Sequence, residues 1–419
     1  MSGRSERFPL FDSLRGLAAL SVVLLHACNR APVLQDNLGG IPNLLAANLY
    51  IGVPIFFLIS GFLLYRPFAA AAIRDDPAPH AGQYAWRRFL RIVPAYWVAL
   101  TIMALLLGMA YVFSTRWGPV FYLFGQIYSA HTTNLGIGPA WTLCVEMTFY
   151  AFLPMFAMAV RCLPGGTVRV RMRNQAAALC MLFLLAIAWT AWALTKSNPN
   201  TPIGQPLLDV LPAYFDHFAL GMGLAVLSVW LTQVGRAPAV VRLMERRPGT
   251  VWLAALVLWL ASIAVAPDPG YQPMTSAAYI AKHVMLGFVA VGVLLPAVVG
   301  EPSQGAVRRL LGNRRLLWVG LVSYGLYLYH QPLDVLLLRW HLDGATVGSP
   351  LVTVVARFMV LLALSLTAAA LSYYVLERPA LSLRRLFAPA QQPIGGESEA
   401  LMGPVSVNAN GAGVRQAVR

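Results

Sequence analysis

Long apolar runs recur from residue 10 to residue 376, separated by short clusters of arginine, proline and glycine. Ten of them approach the roughly 20 residues that a helix needs to cross a bilayer. They lie at about 10–28, 44–64, 92–113, 141–160, 175–194, 207–231, 250–267, 277–299, 316–337 and 351–376. Segment 118–140 starts apolar and then turns to Gly, Pro and Thr. Such a broken stretch predicts a re-entrant or interfacial piece, because non-helical backbone at membrane depth is tolerated only inside protein or beside water. The pattern therefore predicts an all-α membrane protein of about ten transmembrane helices with one re-entrant segment. Residues 1–386 form the membrane domain, and 387–419, with Pro389 and Gly395-Gly396, read as a flexible cytoplasmic tail. No internal repeat, nucleotide-binding glycine motif or fused soluble domain is visible.

Composition supports this reading. Of 419 residues, 58% are hydrophobic and 11% charged, against roughly 25% charged in a typical soluble domain. The mean hydropathy is +0.64. That balance excludes a soluble enzyme and a disordered chain. The net charge is +15, which on a membrane protein first suggests basic residues gathered in cytoplasmic loops. With the N-terminus inside, the ten spans place 25 of the 31 Lys and Arg on one side. Counting 118–140 as a full span would move Arg161, Arg169, Arg171 and Arg173 outside and scramble the pattern. Both termini are thus expected to be cytoplasmic, in a multi-pass protein of a bacterial inner or plasma membrane. The charge meets membrane lipid and implies no nucleic-acid partner. Cys28, Cys144, Cys162 and Cys180 form no CxxC pair, so neither a zinc site nor a disulfide framework is indicated, and no metal is expected. Leu25-His26-Ala27-Cys28 faintly resembles a lipoprotein cleavage box, but a single anchor would leave the other spans unexplained.

Several polar residues sit inside these runs. On a helix, Asp12, Arg15, Ala19, Val22 and His26 fall on one stripe, with His26 roughly 16 Å deeper than Arg15. An ionisable group at that depth is a functional candidate by default; a topology anchor and a hydrogen-bonded core histidine are the structural alternatives. Ser60-Gly61-Phe62 allows close approach of a helix or ligand. Arg88 and Arg91 stand one turn apart at the mouth of the third span, where paired guanidiniums suit phosphate oxygens, lipid headgroups being the alternative. Thr142, Glu146 and Tyr150 form a stripe just after Trp141. The sixth span carries Asp216-His217 before Gly221, and the ninth carries Ser323, Tyr324, Tyr327 and His330. Tyr329 reads as an interface anchor.

Taken in order, these motifs resemble the integral-membrane acyltransferase-3 family, bacterial O-acyltransferases of surface polysaccharides and macrolides. The likeness spans about residues 8–386. Asp12-x-x-Arg15-Gly16 with ten residues between Arg15 and His26 matches the family's Arg-x10-His signature. Ser60-Gly61-Phe62, Arg88-x-x-Arg91, Trp141-Thr142-x-x-x-Glu146 and Ser323-Tyr324-x-x-Tyr327-x-x-His330 match later motifs. The resemblance implies an acyl-CoA donor, an essential histidine at His26, and contact of Arg88 and Arg91 with the donor's phosphates. Some members carry a fused hydrolase-like domain; none is visible here, so direct transfer to the acceptor is expected.

The expected mechanism follows. Arg15, Arg88 and Arg91, with Ser60 and Gly61, hold acyl-CoA, acetyl-CoA being the default. His26 takes the proton of an acceptor hydroxyl on a glycan, glycolipid or small molecule, and Glu146 or Asp12 orients or charge-balances His26. Trp141, Tyr150, Asp216, Tyr324 and His330 are expected to line the substrate path. The rival is a proton-coupled transporter using His26, Glu146, Asp216 and His330 as a relay. The missing internal repeat speaks against it.

Overall fold

The computed structural model describes residues 8–29, 41–198, 205–233, 237–267, 274–301, 304–340 and 350–385. The expected tail at 387–419 lies outside them, as do Arg4, Arg7, Arg236, Arg415 and Arg419 of the charge map. Among the described residues the fold is all helix, and nine helices are long and apolar enough to cross a membrane. The main elements are α1 (Leu10–Asn29), α2 (Gly52–Arg74), α3 (Ala81–Leu107), α4 (Trp141–Arg161) and α5 (Val168–Ala193). They continue with α6 (Phe215–Leu231), α7 (Pro248–Val265), α8 (Ser276–Val298), α9 (Arg314–Leu321), α10 (Ser323–Arg339) and α11 (Pro350–Ser372).

The ninth expected span, 316–337, is two helices rather than one. The chain breaks at Val322 between α9, of 8 residues, and α10, of 17, and neither alone reaches spanning length. The cause is local. The Asn313 side chain accepts from the N–H groups of Arg315 and Leu316 and starts α9. Gly320 then meets the first turn of α1, where a Cβ would land on the Asp12 carbonyl. Gly16 faces the same crossing, 3.0 Å from the Gly320 nitrogen if it carried a Cβ. The two glycines let α9 press on α1 backbone to backbone.

Segment 118–140 does not span. It consists of short helical turns at Gly118–Tyr122, Gln126–Tyr128 and Gly138–Ala140. Its free backbone groups are taken up by side chains of the neighbouring helix, Tyr96 donating to Phe121 O (3.0 Å) and Trp97 Nε1 to Tyr122 O (2.8 Å). Phe121, Ile127 and Ile137 are buried, which meets the demand that irregular backbone be packed within protein.

α2 and α6 lie at the centre, each buried along more than half of its apolar window. They cross where Gly61 faces the Phe218 backbone and Gly221 faces that of Leu58. α5, α7 and α11 are peripheral and present rows of exposed apolar side chains, among them Leu184, Leu185, Leu253, Val257, Leu351 and Leu371. Water would not tolerate so large an apolar surface; hydrocarbon does. With nine such helices, the chain is a multi-pass membrane protein. Two charges inside the spans pair with each other, Arg357 on α11 donating to Asp334 on α10 at 2.6 Å, as buried ions must.

Candidate active site

A cavity of about 670 Å³ opens between α1, α2, α3, α4 and α10, within the size range of small-molecule sites. Five arginines line it: Arg15, Arg87, Arg88, Arg91 and Arg384. The spacing of the helix puts them there. Arg88 and Arg91 share a face of α3, and Arg15 opens α1 in an ion pair with Asp12 at 3.3 Å. Arg384 arrives because α11 ends in a π-helical turn, Tyr373–Glu377, after which the chain folds back on α3. There Trp86 Nε1 donates to Leu383 O at 3.3 Å.

One carboxylate, Glu146, faces the five cations. Ser60 Oγ donates to its Oε1 (2.6 Å) and Tyr150 to its Oε2 (3.0 Å). Arg15 and Arg91 are close enough for their charges to act on it. The excess of positive charge over a single acid makes this an anion site, and guanidinium forks match phosphate geometry. The Arg88 Nε is buried and has no partner among the described residues, a donor without an acceptor in place.

The apolar wall is Val53, Phe56, Phe57 and Ile92, and Tyr324 closes it by donating to Ile92 O at 2.9 Å. On the side away from the arginines, Thr142 and Tyr327 pair their hydroxyls at 2.9 Å. Behind Tyr327 stand two histidines. The His330 ring lies 5.6 Å from that of Tyr327 and 4.8 Å, edge to face, from that of His26. His26 Nδ1 is 2.9 Å from Val22 O and His330 Nδ1 is 2.7 Å from Tyr327 O. A carbonyl can only accept, so each Nδ1 carries the hydrogen and each Nε2 the lone pair of the neutral ring. The His330 Nε2 is buried with no partner among the described residues.

The expected site residues divide accordingly. Arg15, Arg88, Arg91, Ser60, Glu146, Tyr150 and Tyr324 all line the cavity. His26 and His330 form a pair one side chain beyond it. Trp141 stands behind the wall, its ring 6.5 Å from Phe57 and 5.6 Å from Tyr214. Three expectations change. Asp12 does not orient His26: it pairs with Arg15, and the fourteen-residue separation of Asp12 and His26 along the helix spans about 21 Å. Gly61 is not among the residues that line the cavity and faces the crossing with α6 instead. Asp216 points away from the cavity to His283, 3.1 Å distant. Glu146 finds its partners in Ser60 and Tyr150, and the neighbour of His26 is His330. Arg87 and Arg384 also line the cavity, which the sequence does not signal, since nothing in a run of basic residues marks which one turns inward.

The molecule is a polytopic helical bundle with an arginine-lined cavity at one end and two histidines beyond it, His330 buried and His26 half-buried. Residues 9–374 match the acyltransferase domain family, and the chain belongs to this family, acyltransferase-3. It is 22% identical over 347 residues to the peptidoglycan O-acetyltransferase OatA of Listeria monocytogenes serovar 1/2a, covering 78% of this chain and 49% of that protein. It is 28% identical over 406 residues to nodulation protein 10 of Rhizobium leguminosarum bv. viciae, covering 89% and 93% respectively. The acyltransferase MdmB of Streptomyces mycarofaciens is 26% identical over 424 residues, 96% of this chain and 99% of its own. The chain thus spans about half the length of the Listeria relative. A Bacillus subtilis (strain 168) relative is likewise matched over 54% of its length. No solved structure matches.

Proposed function

We propose that this protein is a membrane O-acyltransferase that moves an acyl group, acetyl by default, from acyl-CoA to a hydroxyl of a glycan, glycolipid or secondary metabolite. The observation that carries the reading is the five-arginine cavity with the His26–His330 pair beyond it. The phosphates of the donor's nucleotide end meet Arg15, Arg88 and Arg91, helped by Arg87 and Arg384. The pantetheine arm runs past the Thr142–Tyr327 hydroxyls toward His26. Arg15 and His26 lie eleven residues apart on one unbroken helix, about 16 Å or three turns, a span the extended arm covers.

His26 Nε2 accepts the proton of the acceptor hydroxyl as its oxygen attacks the thioester carbonyl. The C–O bond forms, the C–S bond breaks, and the proton passes to the departing sulfur, leaving free CoA. A positioned histidine base contributes about 10²–10⁴-fold. Glu146 keeps the arginine array from repelling itself. The arginine end faces the cytoplasm in this reading, where acyl-CoA is made, and the acceptor approaches His26 from the other end of the bundle.

The test supplies radiolabelled acetyl-CoA to membranes containing the protein and follows label into envelope polymers, lipids and secreted small molecules. Wild-type membranes should transfer label to one product class. His26→Ala should lose at least about a hundredfold of the rate while inserting normally. Retained transfer in that variant would remove His26 from the chemistry, and absence of any labelled product would remove acyl transfer.

A further inference from the structure

Outside the cavity, one cluster of chemically capable side chains has no part in the proposed reaction. Asp216 and His217 stand in the first turn of α6, and His283 stands on α8. We propose that these three residues form a binding site for one divalent transition-metal ion, zinc foremost, that clips α6 to α8.

Three observations support it. The donor set is two imidazoles and a carboxylate, which suits zinc and related first-row ions and leaves a fourth position for water. The donors converge: His283 Nε2 is 3.1 Å from the Asp216 carboxylate, the two imidazole rings are 4.3 Å apart, and one donor atom from each residue lies within 4.8 Å of the others. Ligands held about 2.1 Å from an ion stand about 3.0–3.5 Å apart, so a contraction of about 1 Å completes the set. The third observation is an unused lone pair. His217 is 1% exposed, and its Nε2 donates to the His283 backbone carbonyl at 3.2 Å. That leaves the lone pair on Nδ1, which has no partner among the described residues. Nε2 is also the nitrogen that stands toward the Asp216 carboxylate, at 4.0 Å, so the ring turns or exchanges its bond to the carbonyl to bring a lone pair to the ion.

The surroundings are built for these rings. A Cβ at Gly287 would come within 2.9 Å of the His217 ring, so the glycine makes its space. Tyr214 and Tyr279 flank His283 at 5.5 and 6.4 Å between ring centroids. The consequence reaches the cavity indirectly. Next to His217 in the chain, Phe218 stacks on Phe149 at 3.9 Å and leans on the cavity-lining Phe57 at 4.9 Å. An ion at the start of α6 would hold that wall in register. No metal was expected from the sequence, because the third ligand lies 67 residues from the first.

The test uses the whole protein, purified in detergent without a histidine tag, stripped with a chelator and titrated with zinc chloride against a chromophoric chelator. The wild type should take up about one zinc per chain, and its thermal midpoint should rise with zinc and fall back when chelator is added. Asp216→Asn and His283→Asn should bring uptake to background. His283→Cys, which keeps a zinc ligand, should retain it, as should the double change of the exposed His80→Asn and His131→Asn. Zinc uptake that is absent in the wild type, or equal in the wild type and the Asn variants, overturns the site. Should an Asn variant fail to fold, the wild-type titration and the His283→Cys variant still decide.

Discussion

At the residue scale, the cavity arginines differ in what they leave unsatisfied. Arg15 has Asp12, whereas the Arg88 Nε is buried with no acceptor among the described residues. A ligand phosphate that completes Arg88 pairs a group already desolvated, where a charge-assisted hydrogen bond is worth more than at a surface. Replacing Arg88 and Arg91 together by Ala should therefore raise the apparent KM for acyl-CoA about tenfold or more and change kcat less, since a phosphate contact is made equally in the ground and transition states. Steady-state kinetics in proteoliposomes checks this. An unchanged KM would return both residues to lipid-headgroup anchoring. The sequence showed the His26 depth and the Arg88/Arg91 spacing because both follow from a single helix. It could not show that Asp12 turns to Arg15 or that His330 meets His26, because those contacts depend on where a second helix lies.

At the element scale, the helices come together where glycine removes a side chain. Apolar packing against lipid offers little net gain to draw helices together, so close backbone approach and its dispersion carry the association. Gly320 of α9 against the first turn of α1 is the tightest of these crossings. Gly320→Ala should destabilise the protein by about 1–3 kcal/mol, in the manner of an overpacked core. By contrast, Gly223 of α6 has nothing within 4 Å of where a Cβ would go, and Gly223→Ala should be neutral or gain about 0.5–1 kcal/mol from helix propensity. Thermal unfolding followed by size-exclusion of the detergent-solubilised variants separates the two, and equal behaviour would refute the backbone-contact account. The same crossing explains why the ninth expected span is broken. A run of apolar residues from 316 to 337 looks continuous on paper, but Gly320 and Val322 bend the chain so that Ser323, Tyr324 and Tyr327 face the cavity.

At the scale of the whole molecule, the arginine-lined end of the bundle and the bulk of the basic residues fall on the same side of the proposed topology. Cationic residues are held in the cytoplasm by the membrane potential and the insertion machinery, and a subset of them has turned inward to a cavity. A periplasmic reporter fused after residue 120 should signal outside and one fused after residue 165 should not. A cytoplasmic signal at the first or an external signal at the second would contradict the map and would move the arginine cavity to the wrong face for a cytoplasmic donor.

What the sequence by itself determined is what a single helix and its solvent dictate. Apolar run length set the membrane class, the arginine asymmetry set the proposed orientation, and i, i+3 and i+4 spacing set which side chains share a stripe, as with Arg15 and His26. The order of five motifs was enough to mark the family. What only the tertiary structure decided is which stripes face each other. Glu146 goes to Ser60 and Tyr150, Arg384 returns to the cavity from the far end of the last span, and Asp216 and His217 meet His283 rather than the cavity. The physical reason is that helix periodicity is encoded within about eight residues of chain. The rotation and crossing point of two packed helices depend instead on small residues such as Gly61, Gly221 and Gly320, whose partners lie far away in sequence.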